Sequence, residues 1–566
     1  MTKKLFSLPA MVLVLVMQSL CPAQEAKPVV AVSFSGYEAL RADVRYLGQL
    51  LDSPELAEAL DGVVTLGTAG RGLQGLDLKR PWGAVVYTSD DEFSVAVFLP
   101  TNDIRALADT LGALNLQATE QDDGTYEVQT PMQPLVMKER AGWAVLVDQA
   151  DTLDLLPEDP MQAIAPLPGK HDIAVMAHVS NLPESVRQMI IAQLGVGAAL
   201  GMQQQPGETE EQYALRRAMT ERSIQQVTTM INELDRFLFG LRIDADAGEA
   251  VIEVAVTALP DTKTAEQFAQ LQQTTTNFAG FDQPGAAISA NWSAMLTDDD
   301  VEQAKLLLNG VRSAAKEELQ RQDLDDAEMA VAEQLLADLF EVLEENVEAK
   351  VTDAGMIGKI GPNQLTLVAG GYVADGPKIE GLLKQFLEQL VKDQPEAKAY
   401  LKLDAETHSG VNLHVLSVPV EELDEGAEPM RRLVGDRLDV IVGIGPNSLY
   451  LAAGRDVAGE LKQIIDASQA APGKAVSPLN ASVALLPIVQ LAATLAEDES
   501  VQQMAGMMAL ALGQSPEKDR LKFQTRPIRN GSMTTITLEE GVLRLIGTGV
   551  MMGQQMMMAP AGFDDF

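Results

Sequence analysis

Cysteine is almost absent from this sequence: Cys21 stands alone in 566 residues. A single thiol excludes an intrachain disulfide framework and a thiolate-rich zinc site. Histidine is nearly as rare, at His171, His178, His408 and His414. Aromatic side chains make up 4% of the chain, which argues against a sugar cleft built from stacked rings. Cations are short too: 42 Lys and Arg stand against 81 Asp and Glu, a formal net charge of −39. A field of that sign repels phosphates, so nucleic acid is excluded as a partner. Long apolar runs are missing beyond the N-terminus. Residues 190–202 and 504–512 fall short of the ~20 residues of a membrane span. Both read as buried helices, leaving no transmembrane span in the mature chain.

What is present begins with an export signal. Lys3 and Lys4 precede an apolar stretch, 5–20, broken only by Ser7, Pro9, Gln18 and Ser19. Cys21-Pro22-Ala23 then supplies small residues at the positions signal peptidase reads. The expected cut follows Ala23, and the mature chain starts at Gln24 and lies in the periplasm or outside the cell. Acylation of Cys21 is the rival reading, but Leu20 and Gln18 are not the residues that usually precede a lipidated cysteine. Cleavage after Ala23 leaves a thiol-free, still more acidic body.

Segments of the mature chain echo one another. Residues 30–40 align without gaps on 286–296, each a β-like run leading into a helical pattern. Residues 172–182 and 480–491 share that character. The strand-like runs 93–100 and 365–369 each lead to a helix, at 104–114 and 379–391. So do 143–148 and 448–453, leading to 150–156 and 457–465. Val186-Arg-Gln-Met189 and Val501-Gln-Gln-Met504 each open an apolar helix, followed by a two-strand pattern: 238–243 with 251–256, and 532–538 with 542–546. The order predicts two divergent halves, 24–284 and 285–566, holding modules at 24–168, 169–284, 285–475 and 476–566. The Met-rich tail is expected to end in disorder over 559–566.

Adjacent hairpin strands interleaved with helices predict an α+β fold of antiparallel sheets with packed helices. Loops are expected at 244–248 and 539–541. Two long helical stretches are expected, 208–237 and 301–347, the second breaking near 323–326. Ala332, Leu335, Leu336, Leu339, Phe340 and Leu343 form its apolar face. Thr297-Asp-Asp-Asp300 is a strong helix start.

Candidate chemistry is thin. Gly70-Arg-Gly72-Leu-Gln-Gly75 has dinucleotide-fingerprint spacing, but a strand and not a helix follows, so it reads as a loop. His408 and His414, six apart in a strand-like stretch, would share a face about 20 Å apart, too far to close on a metal. Acids at Asp323, Asp325, Asp326, Glu328 and Glu333 lack the calcium-loop order, and Asp244-Ala-Asp246-Ala-Gly248-Glu249 reads as a turn. No G-x-S-x-G occurs. The methionines of 551–558 offer soft donors but read as packing. The sequence therefore assigns no catalytic, cofactor-binding or metal-ligating residue.

Gly75-Leu-Asp-Leu-Lys-Arg-Pro-Trp-Gly83, then Ala84-Val-Val-Tyr87 and Phe98-Leu-Pro100, resemble a pattern in large exported bacterial proteins of unknown function, of planctomycete type. The likeness covers mainly 30–160. It implies export and α+β architecture, with no activity to carry over. The expected function is a non-catalytic exported binding or scaffold protein of the cell envelope, taking an apolar ligand or a protein partner. An envelope-assembly subunit and a hydrolase assembled from distant segments stand as alternatives.

Overall fold

A computed structural model describes residues 26–89, 92–204, 208–322, 325–422, 427–496 and 498–558. The expected cleavage point Ala23, the acidic residue Asp323 and the terminal segment 559–566 lie outside the described residues. The chain divides into two units, one of residues 1–197 and 227–262, the other of 198–226 and 263–566.

The first unit contains β1 Lys27–Phe34, β2 Trp82–Ser89, β3 Glu92–Pro100, β4 Ala118–Glu120, β5 Tyr126–Val128, β6 Leu135–Arg140, β7 Trp143–Val147, β8 Ile173–His178, β9 Leu234–Asp244 and β10 Glu249–Ala258. Its helices are α1 Tyr37–Leu50, α2 Leu56–Gly67 and α3 Ile104–Ala113, while α4 Glu184–Gly201 and α5 Glu210–Glu233 run across the limits of the unit. Every pairing is antiparallel, in the order β10-β9-β8-β1-β2-β3-β7-β6-β5-β4. Strand β7 shows why this sheet has two cores. All five of its residues are buried. Trp143, Val145 and Val147 join Phe98, Ile164 and Leu167 on one face. Ala144 and Leu146 join Leu107 and Leu111 of α3 on the other. A strand covered on both faces has no polar alternation, which is how 143–147 reads in the sequence. Each large side chain so buried contributes roughly 1.5–3 kcal/mol.

The second unit contains α6 Lys263–Gln270, β11 Thr275–Thr276, β12 Ile288–Met295, α7 Asp298–Arg321, α8 Asp326–Glu348, β13 Val351–Gly361, β14 Gln364–Tyr372, α9 Gly376–Asp393, β15 Leu401–His408, β16 Val411–Pro419 and α10 Ala427–Val434. It continues with β17 Arg437–Gly445, β18 Ser448–Gly454, α11 Val457–Gln469, β19 Lys474–Ala475, β20 Leu479–Ala484, α12 Leu485–Leu495, α13 Glu499–Gly513, β21 Arg520–Ile528, β22 Gly531–Glu539 and α14 Glu540–Met558. The main sheet is again antiparallel, ordered β22-β21-β20-β12-β13-β14-β18-β17-β16-β15. The two-residue strands β11 and β19 pair separately. Counted within each unit, with that short pair set aside, the ten strands of the two orders correspond one to one.

Thr297 and Asp300 form a capping box at the start of α7, each side chain bonded to the other's backbone N–H. Val457, Leu461, Ile464 and Ile465, spaced at four, three and one, bury one stripe of α11 against Ile357, Val368, Ile441 and Tyr450. The segment between β11 and β12 is pinned by one face of β12: Ser293 donates to Thr275 O (2.7 Å), Asn291 to Phe278 O (3.1 Å) and Ser289 to Phe281 O (3.0 Å). Asp353, opposite Ser293 on β13, accepts from Thr276 Oγ1 (2.6 Å) and Asn277 N–H (2.7 Å).

Two local expectations change, and one stretch to which no element was assigned gains one. Residues 542–546, expected as a strand, lie in α14, and β22 forms its hairpin with β21 across a turn at 529–530. A short apolar run carries no periodicity that separates strand from helix. The backbone of 551–558, the Met-rich stretch, is helical. His408 and His414 do not share a strand: a turn at Ser409 (φ 50°) and Gly410 (φ 78°) puts them on the paired strands β15 and β16.

Candidate functional site

Two helices depart from the buried role that their composition predicts. In α4, Met189, Leu194 and Val196 are 52, 44 and 64% exposed. In α13, Val501, Met504, Met507 and Leu510 are 44, 54, 41 and 71% exposed. Beyond Arg187 in α4 and Glu499 in α13, neither helix carries a charged residue. The two follow strands that correspond in the two sheets, β8 and β20, the second after α12. No helix among the described residues is long and apolar enough to cross a membrane. Large apolar side chains grouped on an otherwise acidic surface mark contact with another molecule.

A different kind of site lies at the end of the second sheet. Strand β15 pairs with β16 and, among the described residues, with no other strand. Its ladder is interrupted: Lys402 faces Val415 and Glu406 faces Leu413, so four steps on β15 match two on β16. The surplus makes a bulge, with Asp404 in the left-handed region at φ 48°. The Asp404 N–H leaves the ladder and donates to Nδ1 of His414, 3.1 Å away. His414 is 2% exposed. Its Nε2 lies 3.5 Å from Glu380 Oε1 of α9, without hydrogen-bond geometry. Lys384, one turn along α9, reaches Glu380 Oε1 at 2.8 Å and Asp404 Oδ1 at 2.9 Å. Asn412 Nδ2 donates to Glu380 Oε2 at 3.1 Å. Burial pulls the His414 pKa below the usual histidine value, against the opposing pull of Asp404 and Glu380.

Ligand atoms of Glu380, Asp404 and His414 lie within 4.8 Å of one another, but the donor set does not suit a metal. Nδ1 already accepts a backbone N–H, so the neutral ring carries its proton on Nε2 and presents no free lone pair. The Lys384 ammonium occupies the cationic position between the carboxylates. The first unit has a simpler counterpart: Arg105 of α3 reaches Glu120 of β4 at 3.2 Å.

The remaining histidines stand apart. His171 is 4% exposed, with Nε2 3.5 Å from Glu253 Oε2, and burial lowers its pKa. Burial and then Arg236 lower that of His178. His408 Nε2 and Ser409 Oγ both meet Asp466 Oδ1 at 2.8 Å. The carboxylate sits between the two, whereas a serine nucleophile needs the imidazole in the middle. In the first unit, burial and the neighbouring Asp172 push Asp43 up to about 7, and its Oδ2 is buried without a hydrogen bond. Residues 70–75 form turns before β2. A Cβ on Gly75 would lie 2.2 Å from Leu107 N, so glycine there serves close packing on α3. An open groove of about 540 Å³ runs between α5 and α7, lined in part by Leu215, Met219, Gly310 and Ala314.

No known family, curated protein or solved structure matches this chain.

Function is therefore argued from these residues alone. The sequence reading missed the His414 network because nothing in the spacing of Glu380, Lys384, Asp404 and His414 announces it. A bulge and a helix bring them together. It missed the exposed helix faces because apolar composition carries no record of whether a neighbour covers it.

Proposed function

We propose that this chain is an exported, non-catalytic binding protein of the cell envelope whose partner is another protein. The observation that carries the reading is the pair of exposed apolar helices α4 and α13, each free of charged residues C-terminal to its first turn. The partner surface is apolar and poor in acids, since a net charge of −39 repels acidic bodies, a second copy included. The groove between α5 and α7 is open, whereas small-molecule sites bury most of their ligand. The N-terminal apolar segment, with its expected cut after Ala23, supports export, as does the resemblance of 75–100 to exported bacterial proteins. The matching strand orders support descent of the two units from one duplicated ancestor.

The test is affinity purification of the native chain from cell envelopes beside a variant with Val196→Glu and Leu510→Glu. A partner held by the native chain and lost from the folded variant supports the reading. Equal capture by both, no capture by either, or self-association through these helices overturns it. N-terminal sequencing of the native material should begin at Gln24, and a cytosolic chain starting at Met1 removes the export half.

A further inference from the structure

We propose that His414 is the pin of an acid-released latch on the edge strand β15. At neutral pH the ring accepts the Asp404 N–H at Nδ1 and carries its one proton on Nε2, toward Glu380. Taking a proton from solvent fills the Nδ1 lone pair. Two N–H donors then face each other, and the bond from Asp404 must break. That N–H has no ladder partner to return to, because the bulge removes residues 403–405 from the pairing between Lys402 and Glu406.

The charged groups facing the ring are Glu380 and Lys384 from α9 and Asp404 from β15. Asn412 of β16 bonds Glu380, and the residue paired with His414 on β17 is Val442. An imidazolium would attract both carboxylates and so compete with Lys384, which bridges them at neutral pH. Protonation thus costs the latch its backbone bond and unsettles the ion pair beside it. The result is a loosened β15 and an uncovered edge of β16 around His414, where backbone groups are free to pair with another extended chain. His171 is also buried beside a glutamate, but among the described residues no backbone N–H donates to Nδ1 of that ring, so the device belongs to His414.

Hydrogen exchange read by mass spectrometry on the full chain tests this, comparing about pH 5 with about pH 7.5, on either side of the histidine range. After correction for intrinsic exchange, peptides covering 401–408 should lose protection about tenfold at the lower pH. The variant His414→Asn should keep its protection at both, because the amide oxygen can accept the same N–H and does not titrate. Equal protection of the native chain at both pH values overturns the proposal, as does an unchanged pH dependence in a folded His414→Asn. Nitrogen NMR of histidine-labelled native chain decides independently of the variant. A His414 ring protonated at Nε2 alone near neutrality is expected, and a proton on Nδ1 there overturns the latch.

Discussion

His171 occupies the space that a side chain on Gly240 would need. A Cβ on Gly240 would stand 2.2 Å from Cδ2 and 2.5 Å from Nε2 of the imidazole. Gly240 faces Ala174 of β8 and Glu253 of β10 in the ladder, so the ring lies over the sheet with Nε2 toward that glutamate.

Gly240→Ala should therefore destabilise the first unit by about 1–3 kcal/mol, the usual cost of forcing atoms into a filled core. Urea unfolding measures it. Gly62→Ala in α2, where an added Cβ meets nothing within 4 Å, should be neutral or stabilise by up to about 1 kcal/mol. Equal effects of the two changes would remove the steric account.

The lowered pKa values of His171, His178 and His414 fix the sign of one pH effect. The unfolded chain takes up protons near the ordinary histidine value, before the folded chain does. Stability is thus full above that value and falls as the pH drops through it. Urea midpoints recorded from about pH 7.5 down to about pH 5.5 should decline, and His414→Asn should flatten the decline.

Asp43 acts in the opposite direction. Its folded value of about 7 lies above the ordinary carboxylate range, so the folded state holds a proton that the unfolded state has released. This contribution to stability is present below that range and is lost as the pH rises through about 7. Asp43→Asn should raise the melting midpoint above that pH by roughly 2–4 °C and change it little in acid. A midpoint that shifts equally at both ends would show that the carboxyl proton is not the cause.

Asp353 is 5% exposed and receives two hydrogen bonds from the segment before β12. Burial raises its pKa, against those two bonds. Asp353→Ala would leave the Thr276 hydroxyl hydrogen and the Asn277 N–H without an acceptor, while Thr276 Oγ1 keeps the Phe278 N–H, at a cost of about 2–4 kcal/mol. Chemical denaturation gives the loss, and faster proteolysis within 274–283 should accompany it.

Thr297, with Asp300 three residues on, specifies its capping box without help from the rest of the chain. The hairpin of β9 and β10 and the buried stripe of α11 are as local, set by alternation and by three- and four-residue spacing. In each case the pattern that specifies the element lies in residues close along the chain, and the short-range backbone geometry is the same wherever the segment packs. The sequence by itself thus determined the α+β class and the place of most elements. Only the tertiary structure decided that 542–546 is helix, that α4 and α13 present apolar side chains to solvent, and that His414 meets Glu380, Lys384 and Asp404. Those outcomes depend on which distant segments cover a surface or face a ring, and burial and proton affinity are properties of that assembled neighbourhood.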